Sequence, residues 1–150
     1  MYPRLIAHRG NLWGLSKEEN CPKYVQNALS GKFDVEVDLW KIGCTFFLGH
    51  DEGEYKIPEK WLYTDNARKW FHCKNLEALK YCLRYGLHCF WHQKDDYTLT
   101  SEGYLWVYPG KEVPESAGMG VVLVDKKLKI APVGAEIICS DFVGEIRKNG

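Results

Sequence analysis

The sequence predicts an α/β domain spanning residues 1–150, a reduced or incomplete barrel of about six parallel strands with few helices. Three observations carry this expectation. Two apolar runs, at residues 4–8 and 33–39, each end in or near charged groups, as parallel α/β sheets do where they gather a site at the C-terminal ends of their strands. Strand-like and helix-like stretches alternate with short connections, which favours parallel strands joined by right-handed crossovers. A chain of 150 residues supports one domain with a sizeable core, but eight full strand–helix units take at least roughly 200.

The elements follow in order. Residues 4–8 read as the first strand and 11–19 as a polar loop containing Gly14. Asn20 is placed to cap a helix over residues 23–29, with Pro22 in its first turn and Gly31 ending it. Residues 33–39 form the second strand, and 44–48 a further extended piece paired locally. A long polar loop, 51–66, carries Gly53 and Pro58 and leads to a strand at 69–73. Asn75 then caps a helix over 76–85, closed by Gly86, with Leu76, Leu79 and Leu83 at helical spacing. Strands at 88–92 and 104–108 follow, the latter stopped by Pro109. Residues 118–124 suit a strand or a short helix, and 137–141 make the last strand. No internal repeat, low-complexity segment or linker interrupts the series.

Composition bounds the function. Twenty basic residues cancel twenty acidic ones, so no global field favours nucleic acid or an anionic membrane. No stretch is long and apolar enough for membrane insertion, and no signal-type apolar segment opens the sequence. Six cysteines, none in a CxxC pair and several inside apolar runs, read as reduced and mostly buried thiols of a cytoplasmic protein.

The chemistry concentrates at residues 34–51. Val35 and Val37 alternate with Glu36 and Asp38, so in a strand both carboxylates point to one face. Neighbouring carboxylates repel, and a divalent metal compensates them best. Taken alone, Glu-x-Asp in a strand is more often a solvated outer face. Here His8, Arg9 and Gly10 end the first strand and His50 follows the 44–48 run, which points to a site instead. Imidazoles change charge near neutrality and suit proton transfer. His72 stands between ligand and core histidine, and one of His88 and His92, which share strand parity, is structural. Asp95 and Asp96 read as a solvated turn, and Asp141 as a capping residue at a strand end.

Four ordered motifs now resemble a family. Ile6-Ala7-His8-Arg9-Gly10, Glu19-Asn20, Val35-Glu36-Val37-Asp38 and Gly49-His50-Asp51 resemble the signature of glycerophosphodiester phosphodiesterases, within the phospholipase-C-like TIM-barrel phosphodiesterases. The likeness covers the first third of the chain. Beyond it, Trp106-Val107-Tyr108 and Ile138-Cys139-Ser140-Asp141-Phe142 look like two late strands of the family. The resemblance implies a TIM-like (β/α) barrel lacking about two strand–helix units. It implies hydrolysis of a glycerophosphodiester or similar small phosphodiester, with His8 and His50 as acid and base and Arg9 on the phosphate. It makes Glu36 and Asp38 metal ligands for Mg²⁺, Ca²⁺ or Mn²⁺, places Glu19 and Asn20 near the substrate, and gives Lys74 a phosphate contact. Where the family has a third-ligand glutamate this sequence has His72, which moves the preference toward Mn²⁺, Zn²⁺ or Fe²⁺. A second alignment puts His92-Gln93-Lys94 at that motif, making His92 the ligand or a substrate contact.

Two other readings stand beside this one. One is a related enzyme on a sugar-phosphate or capsule-type diester. The other is a non-catalytic module that binds a phosphate ligand, against which the pair His8 and His50 argues. The partner expected is a small molecule rather than nucleic acid. A barrel missing units leaves bare sheet, and abundant Trp and Tyr suit an interface, so a homo-oligomer, most simply a dimer, is expected.

Overall fold

The computed structural model describes residues 2–116 and 118–150. These form one sheet of ten strands and three α-helices. The strands are β1 (Arg4–His8), β2 (Asp34–Ile42), β3 (Thr45–Leu48), β4 (Tyr55–Ile57), β5 (Lys69–Cys73), β6 (Cys89–Phe90), β7 (Tyr97–Leu99), β8 (Leu105–Val107), β9 (Val121–Val124) and β10 (Ile137–Ser140). The helices are α1 (Pro22–Ser30), α2 (Leu76–Arg84) and α3 (Val143–Asn149).

The TIM-like barrel is not what forms; the sheet is mixed and curled into a half-barrel. Its central run, β6-β5-β2-β1-β10-β9-β8, is parallel. Three antiparallel pairings break the expected pattern: β3 on the C-terminal half of β2, β4 on β3, and β7 on β8. The reason lies in the connections. A repeating strand–helix unit needs a helical crossover after each strand. Here Gly43, with φ +59°, turns β2 straight back into β3, and the segments joining β8, β9 and β10 contain no helix among the described residues. Curling brings the two ends of the parallel run together: Phe90 on β6 stacks on Trp106 of β8 at 4.6 Å. The Ser101 N–H also donates to the Cys89 carbonyl at 2.8 Å.

The sheet separates two cores. The outer face carries Val35, Val37, Leu39, Phe71 and Cys73 under α1, α2 and the 51–66 segment, which contributes Ile57 and Leu62. The concave face carries Ile6, Trp70, Phe90, Trp106, Val122 and Cys139. Two local expectations change, and a third, open between strand and helix, resolves. Asn20 does not cap α1, whose N-cap is Cys21 without a side-chain bond. The stripe Leu76, Leu79 and Leu83 is not the buried face of α2; Leu76 and Leu83 are exposed, while Ala78 and Cys82 are buried. Residues 118–124 resolve to the strand β9. The Asn75 cap is as expected, its side chain accepting from the Ala78 N–H at 3.1 Å.

Candidate active site

Strand alternation builds the site. On the concave face β2 presents Glu36 and Asp38 and β5 presents His72, with Asp38 in register with His72 and Glu36 with His8. Glu36 and Asp38 are buried. Ligand atoms from Glu36, Asp38 and His72 lie within 4.8 Å of one another. His72 Nδ1 is 3.2 Å from Asp38 Oδ1 and 3.7 Å from Glu36 Oε1. Its other nitrogen, Nε2, donates to the His92 carbonyl at 3.2 Å, and its ring stacks on Phe90 at 4.9 Å. An imidazole held through Nε2–H turns Nδ1 toward the carboxylates, the arrangement by which proteins orient metal-binding histidines.

The charges there are unbalanced. Burial penalises the Asp38 anion, but His50, His72 and Arg9 overcome this and hold its carboxyl well below the usual range. Burial would lower the His72 pKa, yet Asp38 and Glu36 raise it to about 9. Asp38 Oδ1 nonetheless makes no hydrogen bond, its neighbour being His72 Nδ1 at ion-pair distance, 3.2 Å. A buried carboxylate oxygen without a donor costs stability unless something else satisfies it. That orphan, beside a carboxylate and an oriented imidazole, fits a divalent cation, with His72 as third ligand.

His8 and Arg9 come from the sharp end of β1. His8 is buried, and its Nδ1 pairs with Asp141 Oδ1 at 2.7 Å, leaving Nε2 3.7 Å from Glu36 Oε2. Arg9 sits in the left-handed region at φ +56°, with its N–H donating to the Glu36 carbonyl at 2.9 Å. That bend sends the guanidinium across the site: Nη1 to Glu19 Oε2 at 3.1 Å, Nε to Asp38 Oδ2 at 3.1 Å, Nη2 to His50 Nδ1 at 2.7 Å. Burial opposes the Arg9 charge, but Glu36, Asp38 and Glu19 raise its pKa beyond the ordinary value. Asn20 braces Asp38 twice, donating to Oδ2 at 2.9 Å and accepting from the Asp38 N–H at 3.0 Å. His50 follows Gly49, where a Cβ would collide with the Glu52 carbonyl oxygen, and stands half-exposed at the mouth.

A cavity of about 70 Å³ opens between His8, Arg9, Glu36, His50 and His72. Lys74 and His92 do not line it. His92 instead donates from Nε2 to the Asp95 carbonyl at 2.6 Å and stacks on Tyr108 at 3.8 Å, and burial lowers its pKa. Five lining residues lie outside the expected site, Phe90, Trp106, Tyr108, Val124 and Lys126. Burial, then Glu36 and Asp38, push the Tyr108 phenol up to about 12, so it stays a donor. Asp141, expected as a strand-end cap, is instead the partner of His8. Burial would raise its carboxyl, but His8 and Asn11 hold it below the usual range. Its placement at the end of a strand in register beside β1 was the available signal. Asn11 was not expected either; it ties Asp141 to Glu19, donating at 3.0 and 2.8 Å.

No protein-family model, curated protein or solved structure matches this chain.

Proposed function

We propose that the protein is a metal-dependent phosphodiesterase acting on a glycerophosphodiester or a similar small diester. The observation that carries this reading is the convergence of Glu36, Asp38 and His72 beside Arg9 and two differently oriented histidines, His8 and His50. The ordered motif resemblance supports the same reading.

A phosphodiester is anionic and a poor electrophile, so hydrolysis needs charge neutralisation, a deprotonated nucleophile and a protonated leaving group. Glu36, Asp38 and His72 would hold a divalent ion, which would supply positive charge to the phosphoryl oxygens. The donor set, two carboxylates and an imidazole, suits Mn²⁺, Zn²⁺ or Fe²⁺ over Ca²⁺, with Mg²⁺ the oxygen-preferring alternative. Arg9 and Lys126 add fixed positive charge at the cavity wall. Asp141 accepts the Nδ1–H of His8, which leaves Nε2 free to take a proton as general base. The nucleophile, water or an adjacent substrate hydroxyl, loses its proton there. His50, at the mouth with Nδ1 beside Arg9, gives a proton to the departing alkoxide, and the proton taken by His8 leaves to water.

A second reading, an enzyme on a sugar-phosphate or capsule-type diester, draws on the wall of Phe90, Trp106 and Tyr108 in the same cavity. No helix among the described residues is long and apolar enough to cross a membrane. The free thiols support a reducing compartment, the cytoplasm. Pairing with a second copy belongs to this reading but not to its chemistry; a clean 17.4 kDa species in sedimentation equilibrium removes it.

The test is turnover of bis(p-nitrophenyl) phosphate with Mg²⁺, Ca²⁺, Mn²⁺, Zn²⁺ and Fe²⁺ in turn. Metal-dependent turnover that Asp38→Asn abolishes is expected. Absence of turnover with every ion, in protein that binds one, sinks the enzyme and leaves a binding module.

A further inference from the structure

A second cluster lies directly behind the first, on the opposite face of the same strand. Alternation that points His72 inward on β5 points Cys73 outward. On β6, Phe90 enters the concave core while Cys89 joins the outer one. Helix α2 lies across this outer face and buries Ala78 and, one turn on, Cys82. Three elements therefore deliver three sulfurs to one place. The Sγ atoms of Cys73, Cys82 and Cys89 lie within 4.8 Å of one another. All three are free, and their residues are 1%, 0% and 1% exposed.

The cluster exceeds what core packing needs. A buried cysteine packs as a small apolar side chain, and no packing rule asks that three from separate elements share one point. It is poorly placed for a thiol sensor, which requires access to the oxidant. The donor set discriminates among ions. Hard cations need oxygen, and no Asp, Glu or His joins the three sulfurs among the described residues. Structural zinc sites are closed by four ligands, and a fourth is missing here. Sulfur-only, three-fold coordination in an apolar surround selects a soft monovalent ion. With metal–sulfur bonds of about 2.3 Å, a planar three-sulfur site places its sulfurs about 4 Å apart, so movement of under about an ångström closes it. Cysteine binds metal as the thiolate, so ion binding displaces the three thiol protons, which leave to water.

We infer that Cys73, Cys82 and Cys89 form a three-cysteine binding site for a soft, closed-shell monovalent ion of the Cu(I) class, separate from the oxygen–nitrogen site on the concave face. The inference does not depend on the phosphodiesterase reading.

The experiment uses the full, reduced chain under anaerobic conditions. Cu(I) is supplied in competition with a chromophoric chelator, both to native protein and during refolding, because the sulfurs are buried. One equivalent is expected, with a raised melting temperature and X-ray absorption showing copper bound by three sulfurs. Cys82→Ala and Cys73→Ser are expected to weaken uptake at least tenfold, while the double variant Cys21→Ser/Cys44→Ser, outside the cluster, keeps it. The X-ray absorption readout uses unaltered protein, so it stands even if a core variant misfolds. The site is overturned if neither native nor refolded protein takes up Cu(I), or if copper has nitrogen or oxygen neighbours. Uptake that survives Cys82→Ala, or a disulfide within the cluster under reducing purification, overturns it equally.

Discussion

Asp34 and Asp38 lie on the same strand, four residues apart, both buried and both on the concave face. Their surroundings are opposite. Asp34, at the lower end, takes Arg4 Nε at 2.6 Å and Trp70 Nε1 at 2.8 Å on one oxygen, and no fully buried side-chain polar atom there is orphaned among the described residues. Asp38, at the upper end, shares Arg9 with Glu19 and Glu36 and still leaves Oδ1 without a hydrogen bond. Below, the charges close on one another. Above, Glu19, Glu36 and Asp38 crowd around the Arg9 guanidinium, while Asp141 pairs with His8 beside them. The lower end reads as a structural plug and the upper as the candidate site, where local neutrality is not met.

The largest expected effect separates the histidines of the two ends. His8→Ala and His50→Ala should each lower the rate by roughly two to four orders of magnitude with folding intact. His88→Gln, at the lower end, should leave the rate within a few-fold. Steady-state kinetics on bis(p-nitrophenyl) phosphate checks this. A full-rate variant at His8 or His50 removes that residue from the mechanism, and a His88 variant as crippled as either would erase the distinction between the ends.

His88 itself sharpens the comparison through pH. It is 5% exposed, its ring lies 4.2 Å from Trp70, and its Nε2 bonds Thr100 Oγ1 at 2.7 Å. Burial pushes its pKa down to about 4 from 6.5. The folded state therefore holds this imidazole neutral where the unfolded chain would protonate it. Above pH 6.5 both states are neutral and the group contributes no pH dependence. As pH falls from 6.5 toward 4 the unfolded chain binds the extra proton and stability declines, by about 3 kcal/mol in all. Urea unfolding of the parent and of His88→Gln across that window should differ in slope by this amount. Parallel curves would mean that the lower end does not hold His88 neutral.

Much of the upper end was legible because its signals are local. Val35-Glu36-Val37-Asp38 declares its own alternation, and His8-Arg9-Gly10 marks an abrupt strand end, so Glu36, Asp38, His8 and Arg9 were found directly. What was missed depends on partners distant in sequence. Asp141 meets His8 across 133 positions, and Lys126 reaches the cavity from a segment that carries no motif. Lys74, assigned by motif position, does not line the cavity. The sheet was misread for the same reason. Periodicity identifies a strand but not the direction of its neighbour, so the antiparallel β3, β4 and β7 were invisible as such. In α2, leucine spacing suggested the buried stripe, yet the sheet took the smaller Ala78 and Cys82 face, which admits closer approach. Tertiary packing overrode the pattern.

The smallest expected effect returns to the two aspartates. For Asp34, burial outweighs the help of Trp70 and Arg4, so its carboxyl is raised above the ordinary 3.8. A raised carboxyl means that the folded state disfavours the anion relative to the unfolded chain, so this group subtracts stability as pH rises through the folded value. Asp34→Asn keeps the shape and an acceptor for Trp70 Nε1, while Arg4, which also donates to the Ala67 carbonyl at 3.2 Å and is part-exposed, retains a partner. Its effect at neutral pH should stay within about 1 kcal/mol, of either sign. For Asp38 the sign is reversed. Its carboxyl is held below 3.8, so the anion stabilises the fold above that pH and the contribution is lost as pH falls through the folded value. Asp38→Asn in chelator-treated protein should therefore cost about 2 kcal/mol, because the hydrogen bond from Asn20 and the ion pairs with Arg9 and His72 lose their charge. Denaturant titrations of the two variants at neutral pH decide it. If Asp34→Asn proves the more costly, the lower plug depends on its ion pair more than its burial suggests, and the contrast between the two ends is not one of charge balance.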